Sequence, residues 1–259
     1  MAPLDIPAFV AAWKAIYTHF ETIGYIPDQT VAYPPHTSSP IPLPDDDAID
    51  QIPLHPLILE LLPQLPYPVS YESSCDFEIL PRTRAVPYTE KGELRNARDP
   101  LMYYLDEEPR VGGEGNVLGA GYLKPEEVLL TTQLPQGMTL ILNVAEGVLR
   151  EYDASGPPPG AEVDYPLPND VKHPYNWPAL PAIETVWSYV RKFETLEWIA
   201  FDGSTELGIL EPFDREHQSI KQILIEEYGW PEAFRKEDWI RERGELRKRL
   251  VRELYEEFF

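Results

Sequence analysis

The stretch that decides the fold is MTLILNVAEGVLREYD, residues 138–153. Residues 139–144 are apolar and partly β-branched, whereas residues 148–153 alternate more and end in charge. Between the two runs lies the two-residue turn Glu146-Gly147, with glycine in its second place, and this pattern predicts a tight β-hairpin. We expect the first strand, which is apolar on both faces, to be central in a sheet, and the second to lie nearer an edge.

The helix after this hairpin is predicted over residues 181–197 and should lie on the sheet. At least two of three strand residues that share one face should be buried beneath it: Leu140, Leu142 and Val144. The apolar face of the helix is predicted to contain Ile183, Val186, Trp187, Val190 and Phe193.

An N-terminal helix is predicted over residues 7–22, because Asp5 can cap it and Gly24 can end it. Its apolar stripe is aromatic and typical of core packing: Phe9, Trp13, Ile16, Tyr17 and Phe20. The same kind of pattern predicts a short helix over residues 54–62, a strand within 69–80 and a helix over 214–228.

The last segment, from about residue 236, is predicted to be a charged amphipathic helix. Its narrow apolar seam provides our candidate partner-binding residues: Trp239, Leu246, Leu250, Leu254 and Phe258. This seam can dock on the rest of the chain or bind another protein, and the short turn at Trp230-Pro231 favours docking. We therefore divide the chain into an α+β domain, residues 1–230, and a C-terminal helix, residues 231–259.

Composition agrees with a folded chain of one large domain. The 259 residues are 43% hydrophobic and 12% aromatic, enough to bury a sizeable core. The 29 prolines are about twice the usual ~5% share. We expect long proline-rich arms over residues 25–53 and 156–178. The predicted fold class is α+β, with an antiparallel sheet and helices packed on one side of it.

The net charge of −22 limits the classes of partner. Duplex nucleic acid and anionic membrane surfaces are both negative, so we expect neither as a ligand. A basic protein partner is compatible with this charge, although solubility alone also explains it. No apolar run approaches the ~18 residues of a membrane span, and the N-terminus lacks the basic start of a signal peptide. We expect a protein of the cytoplasm or the nucleus, and its oligomeric state stays open.

Metal and cofactor sites have little support in the sequence. Cys75 is the only cysteine and is expected to be a buried, inert thiol. Asp45-Asp46-Asp47 lacks the alternation and the glycine of a calcium loop, so a solvated turn is expected. The glycine-rich stretch 112–121 carries Glu114 and has no strand leading into it, which argues against a phosphate loop. We predict no cofactor and no metal.

Catalytic residues are equally hard to find. None of the five histidines is spaced for zinc. His217, beside Asp214, is compatible with a base held by a carboxylate, but equally with an exposed helix start. Carboxylates such as Glu78, Asp106 and Asp153 are too numerous for the sequence to single out a catalytic pair.

A family resemblance covers about half of the chain. Its elements are an N-terminal helix, Leu-Pro-Tyr-Pro before a strand, the hairpin motif LILNVxxGVLxxYD, and a helix with Trp-Ser-Tyr-Val at 187–190. This arrangement resembles the SUKH superfamily, and the match is carried by Gly147, Val148, Tyr152 and Asp153. The GWPEAF block at 229–234 is similar to one in uncharacterised proteins of filamentous fungi. The resemblance implies an α+β binding module of the kind found in toxin-immunity and cell-wall regulatory proteins, without catalytic residues.

The function predicted from the sequence is non-enzymatic binding of a protein partner, regulatory or immunity-like in kind. The alternative is an enzyme acting on a small metabolite, with carboxylates or a histidine drawn from separate loops. An obligate subunit of a larger assembly is a third reading and is compatible with the first.

Overall fold

A computed structural model describes seven stretches of the chain: residues 2–36, 54–69, 77–90, 93–98, 123–153, 177–203 and 208–256. Its helices are α1 (Ile6–Ile23), α2 (Pro56–Leu61), α3 (Glu93–Asn96), α4 (Ala182–Glu194), α5 (His217–Glu226) and α6 (Lys236–Glu256). Its strands are β1 (Val31–Ala32), β2 (Tyr67–Pro68), β3 (Thr83–Ala85), β4 (Glu127–Leu129), β5 (Thr131–Gln133), β6 (Thr139–Asn143), β7 (Val148–Tyr152), β8 (Leu180–Pro181), β9 (Ile199–Ala200) and β10 (Ile209–Leu210).

The strands form small antiparallel sheets. The largest has four strands in the order β4-β6-β7-β8, and the pairs β1-β2, β3-β5 and β9-β10 form two-stranded sheets. Helices and antiparallel sheets together confirm the predicted α+β class. None of the described helices is long and apolar enough to cross a membrane.

The predicted hairpin is present as β6 and β7, but its turn is longer than predicted. The ladder runs from Thr139 opposite Tyr152 to Asn143 opposite Val148, which leaves a four-residue turn. The Asn143 side-chain oxygen accepts hydrogen bonds from the backbone amides at positions 145 and 146, at 3.1 and 3.0 Å, and so organises this turn. Gly147 closes it with φ of +65°, a conformation that favours glycine.

Strand β6 is central and buried along its whole length, as predicted. Leu140, Leu142 and Val144 are all fully buried, which confirms the expected apolar face. Strand β7 is not an edge strand, because the two-residue β8 pairs with its first half at Val148 and Leu149.

Helix α1 confirms the prediction with one extra residue at each end. The Asp5 carboxylate accepts from the amide of Ala8 at 3.1 Å and caps the helix. The whole predicted aromatic stripe is buried. His19 is buried too, with its ring 5.4 Å from the rings of both Phe193 in α4 and Trp230.

Helix α4 ends three residues earlier than predicted, and three of its five predicted apolar residues are buried: Val186, Val190 and Phe193. Leu196 adopts a left-handed φ of +53°, which stops the helix. Tyr189 is buried, and its hydroxyl donates to the Glu151 carboxylate of β7. Trp187, predicted to be apolar core, is 37% exposed. The buried stripe thus contains Tyr189 in place of Trp187, and the hydroxyl of the buried tyrosine is paired.

The predicted helices near residues 54–62, 214–228 and 236 onward correspond to α2, α5 and α6. The predicted strand ending at Leu80 is wrong for its described part, residues 77–80. Leu80 begins a tight turn, and strand β3 starts only at Thr83. The proline at 81 removes a backbone donor and favours the turn.

Helix α6 packs against the rest of the chain through Trp239. The indole ring lies 5.5 Å from the ring of Phe201 and 5.3 Å from that of Tyr228. One turn later, Arg243 donates to the Gly24 and Phe201 carbonyls at 2.7 Å each and forms an ion pair with Asp202 at 3.3 Å. The structure thus shows the docked arrangement that the sequence favoured.

Candidate functional site

The candidate site begins with a strained turn at Arg82. Leu80-Pro81-Arg82-Thr83 is closed by a hydrogen bond of 3.0 Å from the Thr83 amide to the Leu80 carbonyl. Arg82 has φ of +53°, a position in a type II turn that glycine or asparagine normally occupies. For a non-glycine residue this conformation is unfavourable by about 1 kcal/mol or more, so other interactions must stabilise it.

A second turn with the same pattern, Leu134-Pro135-Gln136-Gly137, holds the Arg82 turn in place. Gln136 also has a left-handed φ, +68°, and the Leu134 amide donates to the Arg82 carbonyl at 2.8 Å. A Cβ on Gly137 would lie only 1.8 Å from that carbonyl oxygen, so only glycine permits this approach. The Thr83 hydroxyl oxygen accepts from the amide of residue 138 at 2.8 Å and completes the attachment.

Glu78 joins the Arg82 turn to β10. Its carboxylate accepts from the Ile209 amide at 3.0 Å, an interaction between residues far apart in the chain. Burial raises the pKa of this carboxyl, although the backbone amides of Ile209 and Arg82 and the charges of Arg82 and Arg84 act in the opposite sense. Glu78 therefore serves as a cap on a strand edge.

The turn that follows β10 brings two more carboxylates to Arg82. The Glu211 amide donates to the Asp214 carboxylate at 2.7 Å, and the Asp214 amide donates to the Glu211 carbonyl at 2.9 Å, so the turn is closed from both sides. Arg82 forms an ion pair with Glu211 at 2.7 Å and approaches Asp214 at 4.0 Å. Burial raises the pKa of Glu211, and the Arg82 guanidinium partly opposes that shift.

Phe213, within this turn, is 68% exposed. The Arg82 guanidinium lies 5.1 Å from the centre of its ring, in the range of a cation–π contact. We refer to Phe213 with Arg82, Glu211 and Asp214 as the Phe213 surface. Aromatic residues and arginine are enriched in protein–protein interfaces.

The Phe213 surface contains no nucleophile and no histidine side chain. Its chemistry is that of recognition: an apolar ring, carboxylate acceptors and a guanidinium, all on a frame fixed by backbone hydrogen bonds. In the described part of the chain, no group of three or more His, Cys, Asp or Glu side chains is placed to hold a metal ion.

His217 does not form the base–carboxylate pair considered from the sequence. Its side chain is buried, and its ring Nε2 lies 2.9 Å from the Glu197 carbonyl oxygen. Burial lowers the pKa of His217, with a smaller opposing effect of that carbonyl. The residue thus links the start of α5 to the end of α4 instead of lying exposed at a helix start.

The candidate partner-binding seam is buried as far as it is described. Trp239, Leu246 and Leu250 belong to the core of this chain, so they present no surface to another protein. Partner binding through these three is therefore not supported. The side chain of Leu254 and all of Phe258 lie outside the described residues.

Several other candidates also lie outside the described residues: Asp45, Asp46, Asp47, Cys75, Asp106 and the stretch 112–121. Of the three carboxylates named from the sequence, Glu78 belongs to the strand-edge cap and Asp153 follows the last residue of β7.

A buried ion pair joins two strands of the largest sheet. Glu127 is fully buried on β4, and its carboxylate lies 3.6 Å from the Arg150 guanidinium of β7. Arg98 donates to the backbone carbonyls of Leu123, Lys124 and Glu127 and so fixes the start of β4. These contacts hold the sheet together, and all three charged side chains are buried.

A small pocket lies between α1 and the β3 region. It has about 10 Å³ of space, room for roughly one water molecule. Its lining is almost entirely apolar and includes Trp13, Tyr67, Val86, Tyr88 and Leu130. Such a pocket is a packing defect and too small for a metabolite.

Comparison of the chain with protein-family models, with curated proteins and with solved structures found no match. The resemblance to the SUKH superfamily therefore stays a prediction.

Sequence reasoning missed Phe213 because no periodicity marks it. The two Leu-Pro-x stretches predict turns, but they do not predict the left-handed conformation of Arg82 and Gln136. The partners of Arg82 lie more than a hundred residues away, however, and no local pattern predicts that meeting.

Proposed function

We propose that this protein is a non-enzymatic protein-binding module whose contact with its partner centres on Phe213. The observation that carries this proposal is an aromatic side chain left 68% exposed on a turn fixed by hydrogen bonds at both ends. Other exposed large apolar side chains, such as Ile225 at 47%, lie on helix surfaces and are less exposed than Phe213.

Rigidity is what makes the exposed ring useful for binding. The hydrogen bonds hold the backbone of the turn, so this backbone loses little conformational entropy when a partner covers the ring. Covering the exposed two thirds of a phenylalanine, roughly 130 Å², contributes about 3 kcal/mol, which is hot-spot size. The strained backbone of Arg82 also supports a binding role for this surface, because strain of this kind is concentrated at functional sites.

The charge of the chain supports a basic partner. With a net charge of −22, the protein attracts cationic surfaces over distances of about a Debye length, ~10 Å at 0.1 M salt, and repels acidic ones. Association with such a partner should slow as the salt concentration rises.

Affinity capture with three immobilised forms of the full chain tests the proposal: wild type, Phe213→Ala and Ile225→Ala. The two variants each remove one exposed apolar side chain, so Ile225→Ala is the matched control. We expect proteins that are captured by wild type and Ile225→Ala and lost with Phe213→Ala, measured by quantitative mass spectrometry. Identical capture by all three forms would reject Phe213 as the contact.

A further inference from the structure

The charges around Phe213 indicate what kind of side chain it receives. Resting on the proposed function, we infer that the Phe213 surface recognises a cationic side chain, Lys or Arg, in a basic segment of the partner protein. Three features of the surface carry this inference: the open face of the ring, the spare acceptors of the carboxylates and the field of the whole chain.

The ring offers one covered face and one open face. Arg82 lies over the ring at 5.1 Å, yet Phe213 remains 68% exposed. The face of an aromatic ring carries negative potential and attracts Lys and Arg within about 6 Å. The open face suits a cation better than it suits an acidic or neutral polar group.

The carboxylates retain capacity to accept hydrogen bonds. A carboxylate has about four acceptor positions. Asp214 receives one direct hydrogen bond, from the Glu211 amide at 2.7 Å, and its distance to Arg82 is 4.0 Å. Because Arg82 pairs closely with Glu211, at 2.7 Å, the charge of Asp214 is the less neutralised of the two. Asp214 follows Phe213 in the chain, so this carboxylate is a neighbouring acceptor for a partner ammonium or guanidinium that reaches the ring.

The electrostatic field of the whole chain also favours a cationic partner. Arg82, Glu211 and Asp214 together carry one net negative charge, within a chain of net charge −22. An approaching basic segment is therefore attracted before contact, and an acidic one is repelled.

A peptide library displayed on phage provides a test that needs no known partner. The library is selected on the full-length wild-type protein, with counter-selection on Phe213→Ala. We expect the enriched peptides to share a Lys or Arg, and the affinity of a synthetic copy to fall when that residue is changed to a neutral one or when the salt concentration is raised.

Charge neutralisation provides the matched control. Asp214→Asn keeps an oxygen for the Glu211 amide but removes the charge, whereas Glu226→Gln removes one charge at the far end of α5, about 14 Å of helix rise from His217. The selected peptide should bind Asp214→Asn about two- to fivefold more weakly and Glu226→Gln nearly as wild type. An equal loss of peptide affinity in both variants would mean that only the net charge of the chain matters, and it would contradict a cation site at Phe213.

The outcomes separate this inference from the proposed function. Enriched peptides that depend on Phe213 but are acidic or uncharged overturn the cation preference and leave binding at Phe213 intact. A selection without any Phe213-dependent peptide also overturns the inference, while the capture experiment decides the proposed function independently.

Discussion

The β6–β7 hairpin and the Phe213 surface are built from opposite kinds of interaction. The hairpin joins residues close in sequence through a backbone ladder and buries its side chains. The Phe213 surface joins residues more than a hundred positions apart through side chains, and it leaves its ring exposed. The first arrangement stabilises the fold, and the second contributes little to the core yet is held rigidly. The difference indicates that substitutions in the hairpin should change the stability of the fold, whereas substitutions in the Phe213 surface should change partner binding.

The largest expected effect lies in the hairpin. Leu142→Ala removes a fully buried side chain from the central strand, and we expect a loss of ~2–5 kcal/mol in the free energy of unfolding. Denaturant unfolding measures it, with Phe213→Ala as the contrasting variant within about 0.5 kcal/mol of wild type. Comparable losses in both variants would erase the distinction between the two regions.

The pH dependence of stability should also differ in sign between core and surface. Burial lowers the pKa of His19 from 6.5 to about 4, so the folded state disfavours the charged imidazole. Stability is then complete above pH 6.5 and falls towards pH 4, because the unfolded chain takes up the proton first; the loss is about 3 kcal/mol. His217, whose pKa is also lowered, acts in the same sense.

The carboxyls near Phe213 act in the opposite direction. The pKa values of Glu78 and Glu211 are raised, so their contribution to stability is present at low pH and is lost as pH rises through their folded pKa values, above 4.5. Unfolding midpoints of wild type and His19→Phe between pH 7 and pH 4 separate the two effects. We expect His19→Phe to flatten most of the acid-side decline; an unchanged slope would mean that His19 is not its source.

The smallest expected effect compares the two matching turns. Gln136→Gly relieves a left-handed residue at an exposed position and should stabilise the protein by about 0.5–1 kcal/mol. Arg82→Gly relieves the same kind of strain but loses the ion pair with Glu211, so its midpoint should stay near that of wild type. Should Arg82→Gly gain as much stability as Gln136→Gly, the Arg82–Glu211 pair contributes nothing to holding the turn.

Sequence patterns predicted those parts of the fold that depend on neighbouring residues. Helix α1, strand β6 and helix α6 follow from apolar periodicity together with caps and turn residues such as Asp5 and Gly147. The patterns failed where contacts between residues distant in the chain determine the local structure. Trp187 is exposed, whereas Tyr189 is buried with its hydroxyl paired to Glu151 of β7. The strand predicted up to Leu80 gives way to a turn that distant residues hold.

The candidate site was predictable only in its chemical class. Lack of a catalytic motif and the acidic charge led to protein binding, which remains a proposal. The seam first chosen for it is buried around Trp239, because an amphipathic helix presents the same pattern whether it docks on its own chain or on a partner. Arg82 and Phe213 became candidates only when the structure brought them together.

The most direct test of the central claim is to measure the free energy of unfolding and the affinity for a captured partner on the same Phe213→Ala sample. The account predicts an unfolding free energy within about 0.5 kcal/mol of wild type and a loss of at least about tenfold in affinity. A variant that unfolds more easily by about 2 kcal/mol while binding as wild type would contradict it, since Phe213 would then belong to the core and not to an interface.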